Sequence, residues 1–270
     1  MFKDFQTAEP ADISLELNIV NKLPESDLEA AIADGTVIQP DEDVAGIYRM
    51  TSEDPATVVL TMPKGYLHKK TGYKIMNLII PRLYYTAARQ KRDVSSMIVH
   101  SCGIKRKSGV FLFCGPSETG KTTVARSCQA ENGQVLNDEM NFIQVFNEER
   151  TPPVCCGLPI VGGIPEKSNL YGPLACIINL KQSKTTSYRT IQKTDAYLRL
   201  MRQIITSRDF YPSQDDLAAI LERNAEFGER VINAVPCYEM EFTLDRESFW
   251  EEIDQLEAEL PLKISTQAIS

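Results

Sequence analysis

The chain has 270 residues, of which 43% are apolar and 24% charged, and its formal net charge is −8. This size and composition are typical of a soluble globular protein with one large α/β domain, or with a core and a smaller appendage. The negative charge argues against nucleic acid or an anionic membrane surface as the main partner. The sequence shows no signal peptide, no apolar run long enough to span a bilayer and no C-x-x-C pair among its seven cysteines, so we expect a cytoplasmic protein with free thiols.

The first third of the chain predicts a small β-rich region followed by one long helix. Its predicted elements are, in order, a half-buried strand over Ile13–Ile19, a helix that Ser26 caps and that ends at Ala33, a hairpin of Gly46–Met50 with Thr57–Met62, and a helix over Thr71–Arg92. None of these segments carries evident chemistry. We therefore expect residues 1–95 to pack as an N-terminal region on a core formed by residues 96–270.

A strand, a glycine-bearing loop and a helix follow one another in the middle of the chain. Met97–Ile104 and Val110–Cys114 are apolar enough for two strands around a polar turn, and the second strand runs into the sequence G-P-S-E-T-G-K-T. These residues fit the pattern G-x-x-x-x-G-K-[ST] of a phosphate-binding loop. The residues after the loop can form the helix that this motif requires. A chance glycine-rich turn is the alternative, and the flanking elements argue against it.

The spacing within this loop has a physical reason. Gly115 and Gly120 allow the backbone to approach an anion closely, so that several N–H groups point at one phosphate. The positive end of the following helix points at the same place. Lys121 supplies a mobile positive charge for the outer phosphates, and the Thr122 hydroxyl can ligate Mg²⁺. The residues expected to hold the phosphates are Gly115, Pro116, Ser117, Glu118, Thr119, Gly120, Lys121, Thr122 and Thr123.

The second half of the chain interleaves strands and helices around one long loop. The predicted elements are strands over Gln134–Leu136 and Phe142–Phe146, a Gly- and Pro-rich loop over Cys155–Pro173, a strand over Leu174–Leu180 with a partner over Thr186–Ile191, helices over Thr194–Ile205 and Ser213–Phe227, a strand over Pro236–Leu244 and a helix over Ser248–Leu260. Because hairpins are frequent, we expect a mixed sheet rather than a purely parallel one. The long loop is of a length that is usually functional or disordered.

A pair of acidic residues stands where a phosphate-transfer site needs a carboxylate. Asp138 and Glu139 follow directly on the short strand after the loop helix. A carboxylate at the end of a neighbouring strand can reach Mg²⁺ or a nucleophile beside the phosphate loop. The alternative is an acidic surface turn, and the phosphate loop upstream favours the functional interpretation.

The order of these features resembles the HPr kinase/phosphorylase family, whose nucleotide core is related to phosphoenolpyruvate carboxykinase. In that family a histidine precedes a hairpin that runs into the phosphate loop, and an acidic pair follows the loop helix, as His100 and Asp138-Glu139 do here. Smaller relatives share three further motifs, which here read Gly157-Leu158-Pro159, Leu180-Lys181-Gln182 and Val235–Met240. The resemblance covers roughly residues 97–252. It implies an α/β fold with a P-loop nucleotide-binding core of this type, in which helices flank a mixed β-sheet.

The resemblance also implies roles for individual residues. Lys121 and Thr122 would hold phosphate and Mg²⁺, and Asp138 would be the general base that takes a proton from the acceptor hydroxyl. Glu139 would assist Asp138 and Thr122 at the metal. His100 would tune the acidic residue beside it, although a hydrogen-bonded core histidine is the alternative. Glu118 stands where the family loop usually has a glycine, so its carboxylate must face away from the phosphates or meet a cation.

These features together predict an ATP-dependent kinase that uses Mg²⁺ and transfers the γ-phosphoryl group to a hydroxyl, such as that of Ser or Thr in a protein or peptide. A small-molecule kinase with the same core and a non-catalytic nucleotide-binding regulator are the alternatives, and the sequence does not choose between ATP and another triphosphate. Arg199, Arg202 and Arg208 are candidates for phosphate contacts or are solvated helix residues. The amphipathic helices would also allow the chain to form a homo-oligomer.

Overall fold

The structure is a computed structural model that describes residues 13–33, 37–38, 46–50, 56–66, 79–81, 83–84, 94–148, 151–160, 162–165, 167–205, 217–243 and 245–260. The described residues form two compact units, one built from residues 13–84 with 217–220 and the other from residues 94–205 with 221–260. In the part of the chain that is described, no helix has the length and apolarity needed to cross a membrane.

The smaller unit contains a four-stranded sheet with the order β1-β4-β3-β2. Its elements are β1 (Ile13–Val20), α1 (Glu25–Ala33), β2 (Val37–Ile38), β3 (Gly46–Met50) and β4 (Ala56–Pro63), followed by a 3-10 turn over Lys64–Tyr66. The predicted hairpin is confirmed, since β3 and β4 pair in antiparallel fashion. The predicted helix is confirmed and ends at Ala33, but Ser26 does not cap it, since the helix already begins at Glu25.

The expectation that the strand over Ile13–Ile19 is half-buried is wrong for Leu17 and Ile19, its described apolar side chains. Leu17 is 54% exposed and Ile19 is 40% exposed. Both residues pair with buried residues of β4, Leu17 with Leu60 and Ile19 with Met62. Register partners share a face of the sheet, so the apolar face is correctly predicted. It is covered on the inner strand β4 and left exposed on the edge strand β1.

The larger unit contains an eight-stranded sheet with the order β11-β12-β10-β6-β5-β8-β9, in which β7 pairs with β5. The strands are β5 (Val94–Arg106), β6 (Gly109–Cys114), β7 (Gln134–Asn137), β8 (Met140–Phe146), β9 (Val154–Gly157), β10 (Tyr171–Gln182), β11 (Ser187–Thr190) and β12 (Cys237–Phe242). Strand β10 runs parallel to β6 and β12, and the remaining pairs are antiparallel. The predicted mixed α/β architecture is therefore confirmed.

Two sequence predictions for this sheet need correction. The expected loop over Cys155–Pro173 is shorter, because Cys155–Gly157 belongs to β9 and Tyr171–Pro173 opens β10, and these two stretches pair with each other. The strand over Ser187–Thr190 does not pair with β10. It pairs with β12, which lies between them in the sheet.

In the described part of the chain, the larger unit contains the helices α2 (Lys121–Ala130), α3 (Lys193–Met201) and α5 (Arg246–Glu259), together with α4 (Leu217–Ala234) from Leu221 onward. Thr194 does not cap α3, since Gln192 is the N-cap residue and the helix ends at Met201. Helix α5 begins two residues earlier than predicted, where the Asp245 carboxylate accepts a hydrogen bond from the Glu247 N–H. Of the predicted helix over Thr71–Arg92, residues 79–81 and 83–84 are described as helical, and the Ser213 cap lies outside the described residues.

The hydrophobic core between the sheet, α2 and α5 fixes the segment that carries the glycine-bearing loop. Phe249 of α5 packs against Phe113 of β6 and Phe242 of β12, with ring centroids 6.1 and 5.6 Å apart. Trp250 donates a 2.8 Å hydrogen bond from Nε1 to the Ser127 hydroxyl of α2. Strand β6 and helix α2, which flank the loop, are therefore held by the same helix α5. All seven cysteines are free and six are buried, as the sequence predicts for thiols.

Candidate functional site

The loop between β6 and α2 has the backbone geometry that its two glycines permit. Gly115 has φ 154° and Gly120, the N-cap residue of α2, has φ 112°. A β-carbon at Gly115 would lie 2.6 Å from the Thr119 hydroxyl oxygen, and one at Gly120 would lie 2.5 Å from Cζ of Phe242. Both distances are too short for any other residue. The glycines of the motif are thus required by the conformation and by the packing of the loop.

Glu118 is held in a left-handed backbone conformation in the middle of the loop. Its φ is 66°, a value that costs a non-glycine residue about 1 kcal/mol. The Glu118 carbonyl accepts a 2.9 Å hydrogen bond from Nε2 of Gln182 at the end of β10, which holds this conformation in place. The residue is exposed. The loop therefore keeps its shape with a glutamate where the family pattern has a glycine.

Lys121 folds back over the loop that precedes it. Its Nζ donates hydrogen bonds to the carbonyl oxygens of Gly115 at 2.7 Å and Pro116 at 2.9 Å, and the residue is buried. Burial lowers the pKa of Lys121 from its ordinary value, an effect that the nearby Cys114 and Glu139 oppose. The ammonium group therefore lies at the mouth of the loop, where an anion could replace the two carbonyl oxygens.

The turn after β7 is built by Asn137, a residue that the sequence reasoning missed. Its side-chain oxygen accepts hydrogen bonds from the backbone N–H groups of Glu139 at 2.7 Å and Met140 at 3.0 Å. Its Nδ2 donates to the carbonyl oxygens of Leu158 at 2.6 Å and Ile160 at 3.3 Å. Asn before a turn is a signal that could have been read from the sequence, because Asn side chains often bond the backbone two residues later. This arrangement fixes the backbone on both sides of Asp138.

Asp138 is fully buried, with a relative exposure of 0%. Its Oδ2 accepts a 2.9 Å hydrogen bond from the Gly163 N–H, whereas Oδ1 has no hydrogen-bond partner among the described residues. The nearest cationic atom recorded for Oδ1 is Nζ of Lys167, at 3.7 Å, which is too long for a hydrogen bond. A buried carboxylate with an unbonded oxygen is energetically costly, so this atom is a good candidate for contact with a ligand.

Thr122 and Asp138 border the same small space beside Gly163. A β-carbon at Gly163 would lie 2.9 Å from Asp138 Oδ2 and 3.1 Å from the Thr122 hydroxyl oxygen. Within the described ranges no group of three or more His, Cys, Asp or Glu side chains could hold a metal ion. Mg²⁺ at phosphate-transfer sites commonly uses one or two protein oxygens and completes its shell with water and phosphate. The Thr122 hydroxyl and the Asp138 carboxylate fit that requirement.

His100 faces Glu139 across the turn that carries Asp138. The distance from His100 Nε2 to Glu139 Oε1 is 3.5 Å, and the Ser101 N–H donates to the Glu139 carbonyl at 3.1 Å. Burial lowers the pKa of His100, and the charge of Lys121 lowers it further, while Glu139 opposes both. The structure thus places His100, Lys121 and Glu139 within electrostatic range of one another, and the recorded partner of the histidine is Glu139 rather than Asp138.

Arg199, one of the arginines proposed for phosphate contacts, is paired with two carboxylates. Arg199 pairs with Asp195 at 2.9 Å and with the buried Glu239 at 2.7 Å. Glu239 also accepts hydrogen bonds from Arg189. Arg202 is exposed, and Arg208 is outside the described residues. Arg199 therefore serves as a counter-ion for a buried carboxylate.

Replacing Gly163 by Ala is expected to lower the free energy of unfolding by about 1–3 kcal/mol, because the added methyl group would lie 2.6 Å from Cγ2 of Thr122 and 2.9 Å from Oδ2 of Asp138, which must then shift. Thermal and urea unfolding followed by circular dichroism would measure the change. Gly65→Ala is the matched control, since a β-carbon there has no described atom within 4 Å. Equal stability of the Gly163→Ala variant and this control would show that residue 163 has more room than these distances give it.

Comparisons with known proteins give little similarity. No protein-family model matches the chain, and no curated protein matches it. Among solved structures, the chain is similar to the Hpr(Ser) kinase/phosphatase from Coxiella burnetii, with a TM-score of 0.32 and 12% sequence identity over 60% of this chain and 98% of that chain. Similarity at this level establishes neither a shared fold nor a shared activity. The function must therefore be argued from the geometry of the described residues.

Proposed function

We propose that this protein binds a magnesium nucleoside triphosphate, ATP in the first instance, on the loop over residues 115–123 and transfers its γ-phosphoryl group to a hydroxyl acceptor. One observation carries the proposal: Oδ2 of the buried Asp138 and the Thr122 hydroxyl border the same position beside Gly163, while Oδ1 of Asp138 has no hydrogen-bond partner among the described residues. Phosphate loop, hydroxyl and carboxylate are the parts that phosphoryl transfer needs from a protein.

The loop would bind the phosphates by exchange of hydrogen bonds. Backbone N–H groups of Gly115, of residues 117–120 and of the first turn of α2 would donate to phosphate oxygens, whereas Pro116 has no N–H to donate. Lys121 would release the carbonyl oxygens of Gly115 and Pro116 and donate to the outer phosphates instead. Thr122 and Asp138 would hold Mg²⁺, whose chemistry is to neutralise the charge that develops on the transferred group.

Asp138 would also accept the proton of the attacking hydroxyl. The Gly163 N–H fixes Oδ2, so the carboxylate cannot rotate freely and Oδ1 keeps its direction. A positioned base of this kind contributes roughly 10²–10⁴-fold to a rate. Glu139 would add negative charge near the cation, and His100, at 3.5 Å from Glu139, would position that carboxylate.

The acceptor that we propose is a Ser or Thr hydroxyl of a protein or peptide, and a small-molecule hydroxyl is the alternative. Incubation with Mg²⁺, γ-labelled ATP and cell extract separates the two. A labelled protein band supports the protein acceptor, and a labelled metabolite supports the small-molecule kinase. Nucleotide binding without any transfer would instead support a non-catalytic regulator.

Titration of the folded protein with magnesium nucleotides tests the proposal directly. A ligand that binds only the native state adds about 2.7 kcal/mol to the free energy of unfolding at 100 times its Kd, so Mg-ATP should raise the melting temperature and produce a saturable calorimetric signal. The same titration without Mg²⁺ should give weaker binding. If no magnesium nucleoside triphosphate binds to well-folded protein, the proposed function is wrong.

A further inference from the structure

Lys167 is a buried cation that the sequence motifs do not include. It lies in the segment between β9 and β10, and its side chain is only 8% exposed. Its Nζ donates a 2.7 Å hydrogen bond to the Ile164 carbonyl and lies 3.7 Å from Oδ1 of Asp138. Lysine is almost never buried to this degree unless it is paired. Among the described residues its charge partner is the Asp138 carboxylate, whose Oδ2 accepts the hydrogen bond from the Gly163 N–H.

The position of Lys167 creates a conflict with any divalent cation at Asp138. The ammonium group lies 3.7 Å from Oδ1 of the carboxylate that would also hold a metal ion. Two cations that share one buried carboxylate repel each other strongly, because the surroundings screen the charges poorly. The repulsion is relieved when a phosphate enters, since its oxygens can accept hydrogen bonds from the ammonium group and the Asp138 carboxylate is then free to hold the metal.

We propose that Lys167 is a positioning residue that makes metal binding depend on the nucleotide: it is the counter-ion of Asp138 in the free protein and a phosphate ligand in the complex. This inference rests on the proposed function, because it uses the same carboxylate and the same phosphates. It adds a consequence that the phosphate loop alone does not have. The free protein should bind Mg²⁺ poorly, and Mg²⁺ should bind together with the nucleotide.

The test compares metal alone with metal and nucleotide in the Lys167→Met variant. Mn²⁺ replaces Mg²⁺ so that electron paramagnetic resonance can count the free ion, and Mg-ATP binding is measured by calorimetry. We expect Lys167→Met to bind Mn²⁺ alone about tenfold more tightly, because one like charge is gone, and to bind Mg-ATP about tenfold more weakly, because one charged phosphate contact is gone. Lys107→Met, on the exposed turn between β5 and β6, should change neither affinity.

Tighter binding of Mn²⁺ alone together with weaker binding of Mg-ATP supports the proposed change of partner by Lys167. Equal changes in the two affinities, or no change, overturn it. Lys167→Arg keeps the charge and should keep the weak binding of Mn²⁺ alone. If Lys167→Met does not fold, Lys167→Gln replaces it, since Gln can still donate to the Ile164 carbonyl without a charge. Wild-type protein that binds no Mg-ATP would overturn both this inference and the proposed function. Wild-type protein that binds Mg-ATP beside a variant with unchanged affinities would overturn only the role of Lys167.

Discussion

Replacing Asp138 by Asn should lower the rate of phosphoryl transfer by about a thousandfold, in line with the loss of a positioned general base, while Mg-ATP still binds. The amide oxygen of Asn has the shape needed to accept the Gly163 N–H, so the turn after β7 should persist. The amide cannot take a proton from an acceptor hydroxyl, which is why the loss should fall on the chemical step. Single-turnover transfer of labelled phosphate, with calorimetry on the same protein, separates the two effects.

The matched control is Asp245→Asn. Asp245 caps α5 through its hydrogen bond with the Glu247 N–H, and Asn caps helices about as well as Asp. This variant should therefore keep both stability and transfer rate. Unfolding of the Asp138→Asn variant must be measured as well, because the substitution also removes the charge partner of Lys167. Full transfer by a folded Asp138→Asn variant would remove Asp138 from the mechanism.

The need for glycine at two positions of the loop between β6 and α2 could be predicted because its signal is local. The positive φ values of Gly115 and Gly120 and the close packing of Gly120 on Phe242 restrict these positions to glycine, so the pattern of residues reflects the backbone directly. The buried strand β6 was equally readable from its continuous apolar run. Asp138 could be placed at a strand end, but its complete burial could not be read from the sequence.

The segment after β9 could not be predicted because its structure depends on distant partners. Tyr171 pairs with Cys156 and Gly172 with Cys155, so the two strand ends stabilise each other and neither has a strong strand signal alone. The burial of Lys167 has the same origin, because the segment after β9 is tied to β7 by Asn137 and to Asp138 by the Gly163 N–H. A lysine in a Gly- and Pro-rich stretch ordinarily suggests a solvated loop.

Arg199 has a charge that suits a phosphate contact, but in the structure it has another role. It lies on α3 at a position that the sequence could assign to solvent or to phosphate. The structure pairs it with Glu239, which is 3% exposed, and a buried carboxylate of this kind requires cationic partners. The sequence contains no local sign of that pairing, since Glu239 lies on β12, far along the chain.

Replacing Lys121 by Ala should raise the Kd for Mg-ATP by about 100-fold, since hydrogen bonds from a charged donor to phosphate contribute about 3 kcal/mol together. The free protein should tolerate the change better than the complex does. Lys121 donates to the carbonyl oxygens of Gly115 and Pro116, at 2.7 and 2.9 Å, and it loses hydration to do so. Removing Lys121 lowers the stability of the free protein through the loss of two hydrogen bonds. It also raises that stability, because a buried charge is gone, and the two effects oppose each other.

Calorimetric titration of the Lys121→Ala variant with Mg-ATP measures the loss, and Lys107→Ala on the exposed turn between β5 and β6 is the control. The Lys121→Ala and Asp138→Asn variants should differ in the property that each one loses. One variant should lose binding and the other should lose chemistry, because Lys121 contacts the ground-state phosphates and Asp138 acts on the attacking hydroxyl. An unchanged Kd in a folded Lys121→Ala variant would mean that the loop over residues 115–123 does not hold the nucleotide.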